Sequence, residues 1–293
     1  MTTSIDVMLP YYGDVTLMKL AAQSVLDQTY EHFRLVVIDD GYPDPEPRRW
    51  FESMNDPRVS YLRNETNLGA NGNYRRAVDL VEADWFVMMG ADDVMRSDFL
   101  SQVAGAIRTH EVDIIQPAVD VIDENGVVYT PLGDRVKRFL APDTSSGSVR
   151  MGGESLARSL LRGNWAYFPS LAWRTEKVRS IGFRDGFDVV QDLALILDIV
   201  ATGGHMAVLP DVVFEYRRHS ASDSSVRALD GRRFDEERRF FRGEQERFAA
   251  LGWPRAARAA KLHVTSRLNA ASMLPKALKA QGATGALLRH VIS

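Results

Sequence analysis

Over the first 115 residues, short apolar runs alternate with stretches whose apolar positions recur every three to four residues. That alternation is expected of a parallel sheet whose strands are joined by crossover helices. The runs predict strands over residues 5–9, 35–38, 59–62 and 85–89, and a further one at 113–116. Helices are predicted over 17–26, about 70–81 and 97–109, with a short one after the proline-rich loop 42–47. On the first of these, Leu17, Leu20, Ala21, Ser24 and Val25 share one face. Beyond residue 116 the rhythm loosens. Residues 131–153, which include Asp143-Thr144-Ser145-Ser146-Gly147-Ser148, read as a mobile loop that either orders over a ligand or serves as a linker. From about Ala228 helix formers dominate, which divides the chain into an α/β body, 1–227, and a helical extension, 228–293.

Composition narrows this picture only locally. The 293 residues suffice for a full core, and a formal net charge of -3 points neither to nucleic acid nor to disorder. There is no cysteine, no leader-like start and no run near the roughly 20 apolar residues that span a bilayer, so the chain reads as cytoplasmic. The extension is the exception. From Pro254 onward it carries Arg255, Arg258, Lys261, Arg267, Lys276, Lys279 and Arg289 without one acid. Interleaved leucines make these helices candidates to pack on the body, to form a homodimer, or to make peripheral contact with an anionic membrane.

In an open α/β sheet, ligands bind beyond the carboxyl ends of the strands. Those ends carry Pro10-Tyr11-Tyr12, Asp39-Asp40-Gly41, Asn64 to Gly69, and Asp92-Asp93. Paired acids after a buried strand suit a divalent cation that neutralises a diphosphate, or else a turn or a helix cap. Tyr12 can stack on a base, Asp40 can accept from a pyrimidine N–H, and Asp92 can accept from ribose hydroxyls. Together the four ends describe a nucleotide pocket, although each alone reads equally as packing or as a turn.

Five segments then carry a family resemblance: Val7-Met8-Leu9-Pro10-Tyr11-Tyr12, Ser24-Val25-Leu26-Asp27-Gln28-Thr29-Tyr30, Val37-Ile38-Asp39-Asp40-Gly41, Asn67-Leu68-Gly69 and Ala91-Asp92-Asp93. In order and spacing the chain resembles a family 2 glycosyltransferase of the GT-A fold, a Rossmann-like, mostly parallel mixed sheet. The resemblance implies a nucleotide-binding half over 1–115 and an acceptor half over 116–227. It places Pro10, Tyr12, Asp40, Asn67, Gly69, Arg76 and Asp92 around the donor, and Asp93 on a manganese or magnesium ion. Asp39 becomes structural. Asp188-Val189-Val190-Gln191-Asp192-Leu193 resembles the family's Glu-Asp motif, with Asp192 as general base and Gln191 where the Glu usually stands, on the acceptor side. Glu215-Tyr216-Arg217-Arg218-His219 resembles the segment that puts a histidine on the metal, with Arg217 and Arg218 beside the diphosphate. Trp165 and Tyr167 fall where the family contacts its acceptor.

The implied activity is inverting, metal-assisted sugar transfer from a UDP- or dTDP-linked donor to a glycan or lipid-linked glycan, in polysaccharide biosynthesis. Two alternatives share the architecture. One is a non-catalytic sugar-nucleotide-binding scaffold. The other, a sugar nucleotidyltransferase, needs a basic Gly-rich loop after strand one, where Gly13 is the one glycine and no cation follows it.

Overall fold

The computed structural model describes residues 3–218, 232–279 and 284–292. Its centre is a sheet in the order β3-β2-β1-β4-β8-β6-β9-β5, with β7 added on β9. The strands are β1 Ile5–Tyr11, β2 Phe33–Asp39, β3 Val59–Arg63, β4 Trp85–Met88, β5 Val94–Met95, β6 Ile114–Ile122, β7 Val149–Gly152, β8 Ala172–Arg174 and β9 His205–Arg217. The long ladders among β1 to β4 and between β6 and β9 are parallel, while β5, β7 and β8 pair antiparallel. The expected parallel order is therefore broken even in the middle of the sheet. Three-residue β8 inserts between β4 and β6, reversing direction where a further parallel neighbour was expected.

The continuous apolar runs have a simple cause: both faces of the sheet are covered. Ile5, Val7 and Leu9 of β1, Leu35 and Val37 of β2, and Trp85 and Val87 of β4 enter one core with α1 (Val15–Leu26) and α4 (Phe99–Thr109). Met8, Val36, Ile38, Phe86 and Met88 point the other way, toward α3 (Gly69–Leu80), α6 (Gly153–Arg162) and α8 (Gln191–Ala201). Asp14 fixes the start of α1 by accepting from Leu17 N at 2.9 Å.

The segment Ser24 to Tyr30 is a clamp. Gln28 is buried, its amide donates to the carbonyls of Ser24 and Arg96, and its oxygen accepts from Leu100 N at 2.9 Å. Ser24 Oγ accepts from Met95 N. These bonds tie the end of α1 to the strand just after Asp92-Asp93, so the motif braces the segment that carries the acid pair.

Residues 131–153 are not a loop throughout. They hold α5 (Leu132–Leu140) and β7, with turns between. Nor is the helical extension a separate body. In α9 (Arg232–Ala250) and α10 (Pro254–Leu262), Phe240, Phe241, Phe248 and the buried alanines of α10 enter the same core as α6 and α8. Helices α11 (Val264–Lys279) and α12 (Thr284–Ile292) close a small separate cluster, in which Ala270 and Leu287 meet Phe234 of α9. No helix among the described residues is long and apolar enough to cross a membrane.

Where the extension meets itself, two histidines are buried. His263 stacks on Phe241 at 4.9 Å, and His290 bonds Ser266 Oγ, which also reaches Glu237. Burial pushes the His263 imidazole down to about 4 and lowers His290 as well. His263 is therefore held neutral in the fold at pH values where the unfolded chain takes up a proton, below the ordinary value of 6.5. Stability from His263 is therefore complete above about pH 6.5 and is lost as pH falls toward 4, by about 2 kcal/mol at about pH 5. Thermal melting of wild type against His263→Gln across that range should show a steeper acid decline in wild type. Parallel curves would count against the buried-imidazole account.

Candidate active site

The strand ends bring together the residues expected around the donor. At the end of β2, Asp39 and Asp40 are both buried, with different partners. Asp39 accepts from Tyr42 N at 2.7 Å and from the Tyr61 hydroxyl, which braces the strand end. Asp40 Oδ1 accepts from Asn64 Nδ2 and Leu68 N, each at 2.8 Å, while Asn64 is held in turn by Asn73. Asp40 is thereby fixed between two strand ends. Tyr12 projects from β1 with 58% of its surface exposed and its ring edge against Tyr42 at 5.6 Å. Pro10 pairs with Ile38 one position before the β1 ladder ends at Tyr11 and Asp39, and Asn67 Oδ1 closes a turn on Gly69 N, where φ is +73°. Arg76 lies exposed on α3.

Asp92 and Asp93 follow β4. Asp93 is buried, its Oδ1 accepts from Arg217 N at 2.8 Å, and its Oδ2 has no hydrogen-bond partner among the described residues. Burial, with the charge of Asp92 beside it, pushes the Asp93 carboxyl well above the usual carboxylate range. A β-carbon on Gly90 would lie 2.4 Å from Asp93 Oδ2 and 3.1 Å from Asp92 Oδ1, so both carboxylates converge on a cradle that only glycine leaves open. An orphaned buried carboxylate oxygen beside a second acid is costly unless a cation completes it. The pair thus fits a hard divalent ion such as Mn²⁺ or Mg²⁺. No cluster of three acidic or histidine ligands occurs among the described residues, and His219 lies outside them.

Arg217 departs from the expected diphosphate contact. It is buried, and its guanidinium donates to the carbonyls of Asp92, Asp123 and Glu124. It braces the acid pair from behind. Arg218 points elsewhere and pairs with buried Asp134 of α5 at 2.8 Å. It too is engaged before any diphosphate arrives.

Around the expected Tyr167 and Asp192 stands a wall of further side chains that the sequence did not reveal. Tyr216 stacks obliquely on Tyr167 at 5.4 Å, and Tyr167 donates its hydroxyl to Asp134 at 2.8 Å. Lys137 Nζ lies 4.2 Å from the Tyr167 ring centre and donates to Ala166 O at 2.9 Å. Burial, reinforced by Arg218, pushes the Lys137 ammonium down to about 8. Asp192 opens α8 at the end of this wall, where Asn164 Nδ2 donates to its Oδ2 at 3.1 Å. Burial raises the Asp192 carboxyl, against the opposing pull of the Leu193 N–H, Lys137 and Asn164. Just before α8, Glu236 Oε1 of α9 accepts from three successive N–H groups, Asp188, Val189 and Val190, at 2.9, 2.6 and 3.1 Å.

Trp165 is a correction. It is 3% exposed in the core and donates Nε1 to Ser159 Oγ, so it offers no face to a sugar. Gln191 is also buried, with its amide oxygen unpartnered among the described residues. Asn164 immediately precedes Trp165 in the chain, and Asp134 and Lys137 lie in the stretch 131–153 read as a loop.

The family model described as Glycosyl transferase family 2 matches residues 6–163, more than half of the chain. The chain belongs to glycosyl transferase family 2. This family 2 member is 23% identical to the succinoglycan biosynthesis protein ExoO of Rhizobium meliloti over 75% of its own length and 62% of ExoO. It is 23% identical to the Escherichia coli UDP-Glc:alpha-D-GlcNAc-diphosphoundecaprenol beta-1,3-glucosyltransferase WfgD over 42% of the chain and 49% of WfgD. It thus spans less than two thirds of either relative. In fold it is similar to S. aureus TarS residues 1–349 in complex with UDP-GlcNAc, with a TM-score of 0.63 at 16% identity, covering 81% of this chain and 65% of that one. The mixed, mostly parallel GT-A architecture expected from sequence is the one the family 2 member adopts.

Proposed function

We propose that this chain transfers a sugar, with inversion, from a uridine or thymidine diphosphate donor to a hydroxyl of a glycan or lipid-linked glycan. The observation that carries the reading is the pair of contrasting carboxylates at the two ends of one wall: Asp93 with an orphaned oxygen, and half-buried Asp192 held by Asn164. Exposed Tyr12 would stack on the base, fixed Asp40 would accept its ring N–H, and Asp92 would take the ribose hydroxyls. A divalent cation on Asp93, with Asp92 beside it, would supply the positive charge that the departing diphosphate requires.

Asp192 would remove the acceptor proton as the hydroxyl oxygen bonds the anomeric carbon and the carbon–diphosphate bond breaks on the opposite side. Its burial favours this, because a raised carboxyl is a stronger base when ionised. Asp134, the other acid of the wall, is tied by Tyr167 and Arg218. That engagement favours a single displacement over a covalent intermediate. The UDP-GlcNAc bound to TarS supports a uridine donor, and the name of WfgD supports a diphosphate-lipid-linked acceptor.

Calorimetric titration of UDP, TDP and GDP, each with and without Mn²⁺, tests the donor half. Manganese-dependent binding of a pyrimidine nucleotide is expected. A folded protein that binds none of the three would remove the basis for the proposal.

A further inference from the structure

Sixteen large apolar side chains are exposed among the described residues, and six of them fall between residues 127 and 139: Val127, Val128, Tyr129, Leu132, Val136 and Phe139. Single exposed apolar residues are ordinary, but a cluster is not. Leu132 and Phe139 are 75% and 85% exposed, so they touch almost nothing in the protein. On α5 the positions 132, 136 and 139 form one stripe, with Arg135 and then Arg138 along its flank. The opposite face of the same helix carries buried Asp134 and also Lys137, which are bonded to Tyr167 and Ala166. Immediately before the helix, Val127 to Tyr129 return antiparallel from a turn closed by Asp123, with a bridge between Ile122 and Val128. The outward stripe and this turn are thus contiguous in the chain.

We propose that the outer face of α5, together with Val127 to Tyr129, docks the protein on an anionic phospholipid surface. The charge pattern selects this occupant. Arg135 and Arg138 are exposed, with Thr130 and Phe139 they line a shallow groove, and across residues 124–139 the one exposed acid is Glu124. Arg138 keeps only a 3.9 Å contact with Asp120, which Arg96 already holds at 2.9 Å. Apolar side chains flanked by guanidinium groups match an interface where acyl chains lie beneath phosphate headgroups. The proposal also moves the expected membrane contact away from the basic extension, whose α9 and α10 bury much of their apolar surface in the common core. Because Asp134 and Lys137 occupy the inner face, a surface met through Leu132 and Phe139 would lie one helix diameter from the acceptor wall.

The test needs neither donor nor acceptor, so it stands apart from the catalytic reading. Full-length protein is floated with vesicles of phosphatidylcholine, with and without phosphatidylglycerol. It should float with the anionic vesicles and not with the neutral ones. Leu132→Ser with Phe139→Ser should lower the bound fraction about tenfold or more. Arg135→Gln with Arg138→Gln should lower it and flatten its dependence on salt. Since all four side chains lie at the surface, the melting temperature should not move. Unchanged flotation in the Leu132/Phe139 variant overturns the proposal, as does loss confined to Leu262→Ser with Leu268→Ser on the extension. So does a wild type that ignores vesicles and runs as a dimer broken by Phe139→Ser, which would mean that a second copy covers the face.

Discussion

Replacing Asp192 with Asn is expected to lower turnover by about 10²–10⁴-fold while nucleotide affinity stays near that of wild type. The substitution keeps size and a carbonyl oxygen that can still accept from Asn164, so the fold around α8 should persist. What disappears is the capacity to take a proton. Burial raises the carboxyl of Asp192, so the acid limb of kcat/KM should fall above the ordinary carboxylate range. Lys137 opposes that rise by favouring the ionised form, and Lys137→Met should therefore move the limb to still higher pH. Activity would then be lost mainly on the acid side, with little change near the alkaline plateau. Full turnover by Asp192→Asn would end the assignment of the base. An acid limb that Lys137→Met leaves in place would remove Lys137 from the electrostatics of the site.

The second large effect concerns the acid pair. Gly90→Ala adds no charge and removes no ligand, yet its β-carbon would sit 2.4 Å from Asp93 Oδ2 and force both carboxylates apart. Manganese-dependent nucleotide affinity should fall about 10–100-fold, the range seen when the support of a metal ligand is disturbed. Asp93→Asn should abolish the manganese dependence altogether. It should also raise the melting temperature measured without metal. The sign follows from the raised carboxyl: an acid whose folded-state value lies above its unfolded one opposes folding wherever it must ionise, so removing the charge relieves the fold at neutral pH. A variant that binds nucleotide less well and melts higher separates a functional acid from a structural one. A lower melting temperature with unchanged binding would identify Asp93 as part of the scaffold.

The fold was legible where both faces of an element are buried. Strands β1, β2 and β4 are apolar throughout because alternate residues enter opposite cores, and the helices between them show one apolar face. What escaped sequence reading inverts that rule. Helix α5 turns its apolar stripe to solvent and its polar residues inward, so its periodicity points away from the core and suggests no packing. Strand β8 has three residues, too few to show a period. The same physics explains the arginines. Arg217 and Arg218 are successive residues at the end of β9 and must project to different sides, so a diphosphate could meet at most one of them. Trp165 misled because an aromatic in a polar segment looks alike whether it faces a ligand or the core. The positions of the strand-end acids and of Asp192 were legible because strand ends and helix starts are defined by the pattern itself.

Glu236 closes three main-chain N–H groups just ahead of the helix that carries Asp192, and it does so from α9. Exchange of the carboxyl-terminal helices between relatives would therefore disturb the proposed base as well as the shape. A chimaera joined before residue 232 inherits a foreign residue at the start of α8, whereas one that carries the native α9 keeps that helix anchored. In any such redesign, everything that touches residues 188–190 is best moved as a single block.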